Sequence, residues 1–180
     1  MDVLKVSKRL SYLLRHRPDS VGLTLDDAGW VPVEKLLETM GLTRSQLEEV
    51  VARNDKQRFT IEGDRIRANQ GHSVDVDLRL EPVAPPERLY HGTVARNLES
   101  IREKGLVKGS RHHVHLSADS ETAAKVGARR GNPVILEVDS AGMAAAGFVF
   151  YRSANGVWLT GSVPASFLAL PGTGAASSFR

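Results

Sequence analysis

Residues 90–93 read Tyr90-His91-Gly92-Thr93, and residues 113–117 read His113-Val114-His115-Leu116-Ser117. Both runs are typical of strands, with small polar residues beside the imidazole rings. Four of the chain's six histidines lie in or between them. Because imidazole can donate, accept or titrate near neutral pH, this clustering predicts a cleft that holds sugar hydroxyls and an amide.

The same histidines have two other interpretations. A single histidine in a strand is most often a structural residue with its hydrogen bonds satisfied. A zinc site is the second alternative, since His112, His113 and His115 are close in sequence. However, a strand turns His112 away from the other two, and the chain has no cysteine to complete a tetrahedral ligand set. We therefore expect no metal.

Length and composition indicate a globular protein of one large or two small domains. The chain has 180 residues, of which 41% are hydrophobic and 25% charged, with a formal net charge of +3 and no cysteine. No apolar run approaches membrane-spanning length, and the N-terminus has the pattern of an amphipathic helix, not of a signal peptide. These features predict a cytoplasmic protein with no membrane association.

The organisation predicted from the sequence has two lobes. The run Glu81-Pro82-Val83-Ala84-Pro85-Pro86-Glu87 contains three prolines and predicts a stiff connector. It separates residues 1–80 from residues 88–170. The remainder, residues 171–180, is rich in Gly, Ala and Ser and predicts a flexible tail.

The first eighty residues predict three helices followed by a hairpin. Apolar side chains recur at helical spacing near the start, at Val3, Val6, Leu10, Leu13 and Leu14. A second helix ends at Gly41, and Thr43 with Gln46 resembles a capping box that opens a third. A Gly63-Asp64 turn in the middle of residues 58–68 predicts the hairpin. Three helices and a terminal hairpin are the layout of a winged helix, a common nucleic-acid-binding shape.

The second half predicts an α+β lobe built on a split antiparallel sheet. Helices are expected after Thr93 and from residue 123 to 128. The branched apolar run at 133–138 predicts a buried strand, and 148–151 and 157–160 predict two more. No GxGxxG or GxxxxGK[ST] run is present, so Rossmann and P-loop phosphate sites are not supported.

The chain also resembles the RNA 2′-phosphotransferases of the Tpt1/KptA family. The matching strings occur in family order: Leu14-Arg15-His16-Arg17-Pro18, Asp55-Lys56-Gln57-Arg58-Phe59, Ile66-Arg67-Ala68-Asn69-Gln70-Gly71-His72-Ser73, Tyr90-His91-Gly92-Thr93, His113-Val114-His115-Leu116-Ser117, Val126-Gly127-Ala128-Arg129 and Asn155-Gly156-Val157-Trp158-Leu159-Thr160. Seven strings in one order make the resemblance specific.

The resemblance implies a winged-helix lobe that binds RNA and a lobe with the ADP-ribosyltransferase fold that binds NAD+. It implies removal of an internal 2′-phosphate from tRNA-like RNA, as in tRNA splicing. In the first step the 2′-phosphate attacks the ribose carbon of NAD+ and expels nicotinamide. In the second, the ribose 2″-hydroxyl attacks phosphorus and releases 2′-OH RNA and ADP-ribose 1″,2″-cyclic phosphate. The implied reaction needs no metal, and we expect a monomer.

The family's catalytic residues map onto Arg15, His16, Arg58 and Arg129. The arginines offset the charge of the phosphate and of its pentacoordinate successor, and His16 acts as a general acid toward the departing RNA oxygen. Arg130 adjoins Arg129, so either could be the fourth member. Arg129 is chosen because it follows Val126-Gly127-Ala128. Taken singly, each arginine could be a member of a surface ion pair, and for Arg58 and Arg129 alone that interpretation is the favoured one.

The NAD+ contacts implied by the resemblance lie in the second lobe, and the RNA contacts in the first. His91 holds a ribose hydroxyl, the Gly92 backbone holds the nicotinamide amide, and Val157 stands where many protein ADP-ribosyltransferases have a catalytic Glu. The full NAD+ set is His91, Gly92, Thr93, His115, Leu116, Ser117 and Val157. The RNA set is Arg67, His72 and Ser73.

Three other functions are considered for such a chain. One is ADP-ribosylation of terminal phosphates of nucleic acids, which would use the same site and stop after the first step. Another is protein ADP-ribosylation, against which the apolar Val157 argues. The third is a winged-helix regulator that senses NAD+, which would not need phosphate-handling arginines.

Overall fold

The computed structural model describes residues 1–171, and the chain divides into two compact units, Met1–Leu80 and Glu81–Arg180. Except for Pro171, the segment predicted to be a flexible tail lies outside the described residues. Within residues 1–171, no helix combines the length and apolarity needed to cross a membrane. The mixed α+β class with antiparallel sheets, predicted from the sequence, is confirmed.

The first unit contains three helices and a three-stranded antiparallel sheet. Its helices are α1 (Val3–Arg15), α2 (Val33–Met40) and α3 (Arg44–Ala52), and its strands are β1 (Val31–Pro32), β2 (Phe59–Glu62) and β3 (Arg65–Ala68). The strand order is β1-β3-β2. A short 3-10 helix, Pro18–Val21, follows α1.

Local signals in the sequence set the ends of these helices. The predicted capping box is confirmed, because the Thr43 hydroxyl accepts the Gln46 N–H and the Gln46 side chain accepts the Thr43 N–H. Gly41 ends α2 in the left-handed conformation, which glycine adopts without steric cost. Gly63, also at positive φ, turns the predicted β2–β3 hairpin.

The core of the first unit lies between the helices and one face of the sheet. Val31, Phe59 and Ile66 point from that face into a cluster with Leu10, Leu14, Leu36, Leu47 and Val50. These side chains are at most 4% exposed. The sheet thus has an apolar inner face and a polar outer face, as the twofold alternation of strands requires.

The second unit is built from short strands and three helices. The helices are α4 (Leu98–Lys104), α5 (Ser120–Gly127) and α6 (Ser140–Ala145). The strands are β4 (Leu89–Val94), β5 (Leu106–Val107), β6 (Val114–Leu116), β7 (Pro133–Val138), β8 (Phe150–Arg152), β9 (Trp158–Thr160), β10 (Ser162–Val163) and β11 (Leu168–Ala169). They form antiparallel sheets of order β11-β7-β4, β6-β9-β8 and β10-β5.

The sheet containing β4 is joined to β6 by one residue pair. The Tyr90 N–H donates to the Ser117 carbonyl at 2.9 Å, and the Ser117 N–H donates back at 2.8 Å. The two histidine-containing strings of the sequence are therefore neighbours in space. Leu89, Leu116, Leu136 and Trp158 lie among the buried side chains of the surrounding core.

The prediction that β7 is a fully buried strand is wrong. Leu136 and Val138 are buried, but Ile135 is 37% exposed and Glu137 is exposed. The strand lies in an antiparallel sheet, so alternate side chains face the core and solvent. A run of branched residues did not distinguish this pattern from full burial.

Gly92 allows α5 to pack directly on β4. A Cβ atom at Gly92 would overlap the Ala123 carbonyl oxygen of that helix and stand 2.8 Å from the Gly127 nitrogen. Both obstacles are backbone atoms, which cannot rotate away as a side chain would. The helix and the strand must therefore separate if a side chain is introduced at this position.

We predict that Gly92→Ala lowers the free energy of unfolding by roughly 3 kcal/mol, the upper part of the range for overpacking. Chemical denaturation of the full chain measures it. Gly161→Ala is the matched control, because nothing lies within 4 Å of a Cβ there. Equal effects of the two substitutions would show that the packing of α5 does not depend on Gly92.

Candidate functional site

The C-terminus of α1 carries two of the predicted catalytic residues. Arg15 ends the helix with only 8% of its surface exposed, and the half-buried His16 follows it. The Ser73 N–H donates to the Arg15 carbonyl at 2.9 Å, and the Ser73 hydroxyl is hydrogen-bonded to His16 Nδ1 at 2.8 Å. Gly71 packs on the Arg15 guanidinium, where a Cβ would stand 3.4 Å from its central carbon.

Arg58 is fixed by two backbone hydrogen bonds just before β2. Its N–H donates to the buried Asn54 side chain at 3.1 Å, and its carbonyl accepts the Asn69 N–H at 2.9 Å. Asn54 in turn donates to the Ser7 hydroxyl of α1 at 2.9 Å. The segment Asn69–Ser73 therefore contacts all three predicted catalytic residues of the first unit.

The predicted RNA-binding residues have different environments. Ser73 is exposed and holds His16. His72 is only 2% exposed, and its Nε2 lies 3.3 Å from the position of a Cβ on Gly29. Its side chain therefore offers little surface to RNA. The Arg67 guanidinium lies over the Trp30 ring, 4.5 Å from its centroid, and burial lowers the Arg67 pKa.

In the second unit, His91 is held as a neutral imidazole of known tautomer. Its Nδ1 lies 3.1 Å from the His115 carbonyl oxygen, which can only accept, so Nδ1 carries the proton. Burial lowers the pKa of His91, and the charge of Arg130 lowers it further, against an opposing effect of that hydrogen bond. His91 Nε2 is therefore a hydrogen-bond acceptor at neutral pH.

His115 has the opposite tautomer. The Arg111 guanidinium, which can only donate, lies 3.2 Å from His115 Nδ1. The proton of a neutral His115 is therefore on Nε2. His91 thus has an acceptor nitrogen and a neutral His115 a donor nitrogen, and a hydroxyl group can bond to either kind.

Arg111 is a residue of this site that the sequence did not single out, and Arg130 was considered only as an alternative to Arg129. Burial and the charge of Arg130 lower the pKa of Arg111, and the same charge acts on His91. Arg129 and Arg130 both lie in the turn of residues 128–130 after α5. Arg129 is exposed, and its side chain forms no ion pair within residues 1–171. The pair of arginines after α5 was the only sequence signal for Arg130.

The other predicted NAD+-binding residues are buried or half-buried. Thr93 is buried, and its hydroxyl accepts a hydrogen bond from Asn97 at 3.2 Å. Leu116 is 1% exposed and packs in the core. Val157 lies before β9, where its N–H donates to the Ser153 hydroxyl at 3.1 Å. Among residues 1–171, no group of three or more His, Asp or Glu side chains converges in a way that could hold a metal ion.

Comparison with known proteins identifies the family. Residues 2–162 match the family model described as "RNA 2'-phosphotransferase, Tpt1 / KptA family". The chain belongs to the RNA 2′-phosphotransferase family. The match includes every catalytic and binding residue predicted from the sequence.

Relatives of this RNA 2′-phosphotransferase family member are similar along nearly their whole length. A Streptomyces griseus protein named "Probable RNA 2'-phosphotransferase" is 56% identical, with 94% of this chain and 97% of that protein aligned. Proteins of the same name from Streptomyces coelicolor and Nostoc punctiforme are 57% and 52% identical, over 93% and 92% of this chain and 95% and 96% of their own. The resemblance stated from the seven strings is confirmed.

We predict that His91 titrates below the ordinary histidine value of about 6.5. The unfolded chain therefore protonates His91 at a higher pH than the folded chain does. As the pH falls below the ordinary histidine pKa, protonation of the unfolded chain lowers the free energy of unfolding. Arg130→Ala removes one cause of the shift and should raise the pKa of His91. Imidazole NMR signals followed against pH measure it.

Arg129→Ala is the matched control for this titration, since it removes the neighbouring charge that does not act on His91. The pKa of His91 should be unchanged in that variant. A rise of equal size in both variants would mean that the effect comes from the net charge of the turn, not from Arg130.

Proposed function

We propose that this protein removes an internal 2′-phosphate from RNA in an NAD+-dependent reaction, through an ADP-ribosylated RNA phosphate. The products are 2′-OH RNA, nicotinamide and ADP-ribose 1″,2″-cyclic phosphate, and a tRNA-like RNA is the proposed substrate. The observation that carries the proposal is the cluster in the first unit. There a single segment, Asn69–Ser73, fixes Arg15, His16 and Arg58 in a member of the RNA 2′-phosphotransferase family.

The lobes are proposed to be a winged helix and an ADP-ribosyltransferase-like fold. Three helices with a terminal hairpin in the first unit support the former. In the second unit, β4 and β6 are joined by the pair Tyr90–Ser117 and carry the histidines implied by the resemblance. The first lobe would bind RNA and the second NAD+.

The residues of the second unit are suited to NAD+. The neutral His91 provides an acceptor and His115 a donor for ribose hydroxyls. Arg130 places positive charge near His91 and Arg111 places it beside His115, which suits a pyrophosphate. NAD+ would supply an electrophilic ribose carbon with nicotinamide as its leaving group.

The residues of the first unit are suited to the RNA phosphate. Arg15 and Arg58, with Arg129 of the second unit, would bind the phosphate oxygens with guanidinium groups, which match phosphate geometry. Ser73 fixes the ring orientation of His16 through Nδ1. His16 would then act through Nε2 as the general acid toward the departing RNA 2′-oxygen.

Val157 distinguishes this proposal from protein ADP-ribosylation. It is half-buried in the turn before β9 and bears no charge. A carboxylate there would repel an incoming phosphate dianion, whereas an apolar side chain does not. A phosphate nucleophile is therefore favoured over a protein side chain.

We predict that release of 2′-phosphate from a synthetic oligoribonucleotide depends on NAD+ and persists in EDTA. Activity should persist in EDTA because arginines, not a metal ion, offset the phosphate charge. The products of incubations with and without NAD+ and EDTA are identified by mass spectrometry. Release without NAD+ would contradict the proposal, and so would loss of activity on chelation.

The control substrates are the same oligonucleotide without its 2′-phosphate and one with a 5′-phosphate instead. Neither should be converted to 2′-OH RNA and cyclic phosphate. A stable ADP-ribose adduct on the 5′-phosphate, with no turnover of the 2′-phosphate, would instead identify the terminal-phosphate transferase considered above.

We predict that Arg58→Ala and Arg129→Ala slow the second step more than the first, so that ADP-ribosylated RNA accumulates. In the first step the phosphate needs only to be positioned. In the second, charge develops at phosphorus, and a donor aimed at developing charge contributes roughly 3–4 kcal/mol, a hundredfold or more in rate. A gel time course that resolves substrate, intermediate and product measures both steps, and His16→Ala should behave similarly.

Arg53→Ala is the matched control for these variants. Arg53 is exposed, lies in the same unit as Arg58 and is ion-paired with Glu49, so its loss should change neither step. If Arg58→Ala and Arg129→Ala slow both steps equally without any intermediate, the two arginines only bind the phosphate.

A further inference from the structure

The outer face of the first unit's sheet links the predicted catalytic Arg58 to two other arginines. In β3, Arg67 pairs with Thr60 and Arg65 pairs with Glu62. The Asn69 N–H bond to the Arg58 carbonyl extends this ladder by one residue. Because directly opposed residues share a face and alternate residues return to it, Arg58, Arg65 and Arg67 lie on the same polar face.

A cavity of about 340 Å³ opens on this face beside β3. Trp30, Arg65, Arg67 and Arg79 are among its lining residues. The guanidinium carbons of Arg65 and Arg67 lie 4.2 and 4.5 Å from the centroid of the Trp30 ring. This stacking restricts both side chains, so less conformational freedom remains to be lost when they bind an anion.

The acidic side chains of the cavity have hydrogen-bond partners other than Arg67 and Arg79, although the charges of both act on Arg67. Asp26 Oδ1 accepts the backbone N–H groups of Ala28 and Trp30, each at 2.9 Å. Glu62 accepts a hydrogen bond from Arg65 at 3.0 Å. Neither carboxylate forms an ion pair with Arg67 or Arg79, the other two arginines of the cavity.

Arg67 and Arg79 have donor groups that the rest of the described chain does not use. Arg67 donates from Nη1 to the Ala28 carbonyl at 3.3 Å, but its buried Nε makes no hydrogen bond within residues 1–171. Arg79 makes no ion pair in the same range. Its backbone has a φ of +54°, unusual for a residue with a side chain, and its N–H donates to Asp77 at 2.8 Å.

We propose that this cavity is a subsite for a flanking phosphodiester of the RNA strand that carries the 2′-phosphate, with Arg67 and Arg79 as its ligands. This inference rests on the proposed function. A phosphodiester oxygen is an acceptor for the guanidinium groups of Arg67 and Arg79 that line the cavity, and two guanidinium groups offset its charge. Arg67 lies two residues from Asn69, the partner of Arg58, which is about 7 Å along a strand.

The ligand is a phosphate and not a base. Trp30 is 7% exposed and has guanidinium groups over its ring, so it is not a platform on which a base could stack. The cavity should therefore bind the RNA backbone without regard to sequence, as phosphate contacts do. Its contribution is to hold the strand in register while Arg58 contacts the 2′-phosphate.

The first test measures RNA binding without any reaction. Fluorescence anisotropy with a labelled single-stranded dodecamer that lacks a 2′-phosphate, in the absence of NAD+, compares the full-length protein with Arg67→Gln and Arg79→Gln. Each variant should bind roughly tenfold more weakly. The slope of log affinity against log salt should fall by about 0.7 for each arginine removed.

Arg53→Gln is the matched control. It removes the same charge from the same unit, but Arg53 is exposed, paired with Glu49 and outside the cavity. Its effect on affinity should be less than twofold. Thermal melting shows whether each variant folds. If Arg67→Gln does not fold, Arg79→Gln, which changes a loop residue, decides the outcome alone.

The second test separates this subsite from the proposed reaction. With a 2′-phosphorylated dodecamer, Arg79→Gln should raise KM about tenfold and leave kcat unchanged. With a 2′-phosphorylated dinucleotide, which has no flanking phosphodiester, its KM should equal that of the unmodified protein. If the unmodified protein turns over the dodecamer but Arg79→Gln changes neither its affinity nor its KM, the subsite is overturned and the proposed function is not. No turnover by the unmodified protein would overturn the proposed function, and the anisotropy result would still decide whether the cavity binds RNA.

Discussion

The backbone hydrogen bonds of one short segment hold the first unit's site together. Asn69 binds the Arg58 carbonyl, and Ser73 binds the Arg15 carbonyl, so both ends of the segment Asn69–Ser73 are tied to a predicted catalytic residue. Gly71, between them at positive φ, lets the chain pass against the Arg15 guanidinium. A guanidinium confined by backbone on one side has few conformations to lose when an anion binds, and this is the preorganisation that phosphate recognition favours.

In the second unit, close contact between backbone atoms of α5 and β4 holds these two elements in place. Gly92 lets α5 pack on β4 where any side chain would collide with the helix. The helix leads directly into the turn that carries Arg129 and Arg130, and β4 carries His91. The packing of α5 on β4 therefore fixes the distance between the His91 imidazole and the Arg130 charge that lowers its pKa. A looser packing of the helix would weaken the effect of Arg130 on that pKa.

The sequence predicted those parts of the fold and site that depend on local chemistry. The capping box at Thr43, the hairpin turn at Gly63 and the strand-like character of the two histidine strings follow from residue types at fixed spacings. The Arg111–His115 bond and the stacking of Arg65 on Trp30 could not be predicted in this way. The stacking depends on the register of β1 against β3, which tertiary packing determines, whereas the Arg111–His115 bond depends on the irregular chain that precedes β6. The partial exposure of β7 was missed because a run of branched residues does not indicate which faces of a sheet are covered.

The two units show how partly desolvated positive charge is kept in a small protein. In each, at least one guanidinium group is partly desolvated, as the lowered pKa values of Arg67 and Arg111 indicate. Within residues 1–171, neither forms an ion pair with a carboxylate. Arg67 stacks on an aromatic ring, and Arg111 donates to a neutral imidazole. Such partners orient a guanidinium without cancelling its charge, so the charge is preserved for an anion. An ion pair at Arg67 or Arg111 would stabilise the protein without ligand and weaken its attraction for phosphate. The absence of such pairs from the described residues therefore suits an RNA 2′-phosphotransferase, which has to bind phosphate.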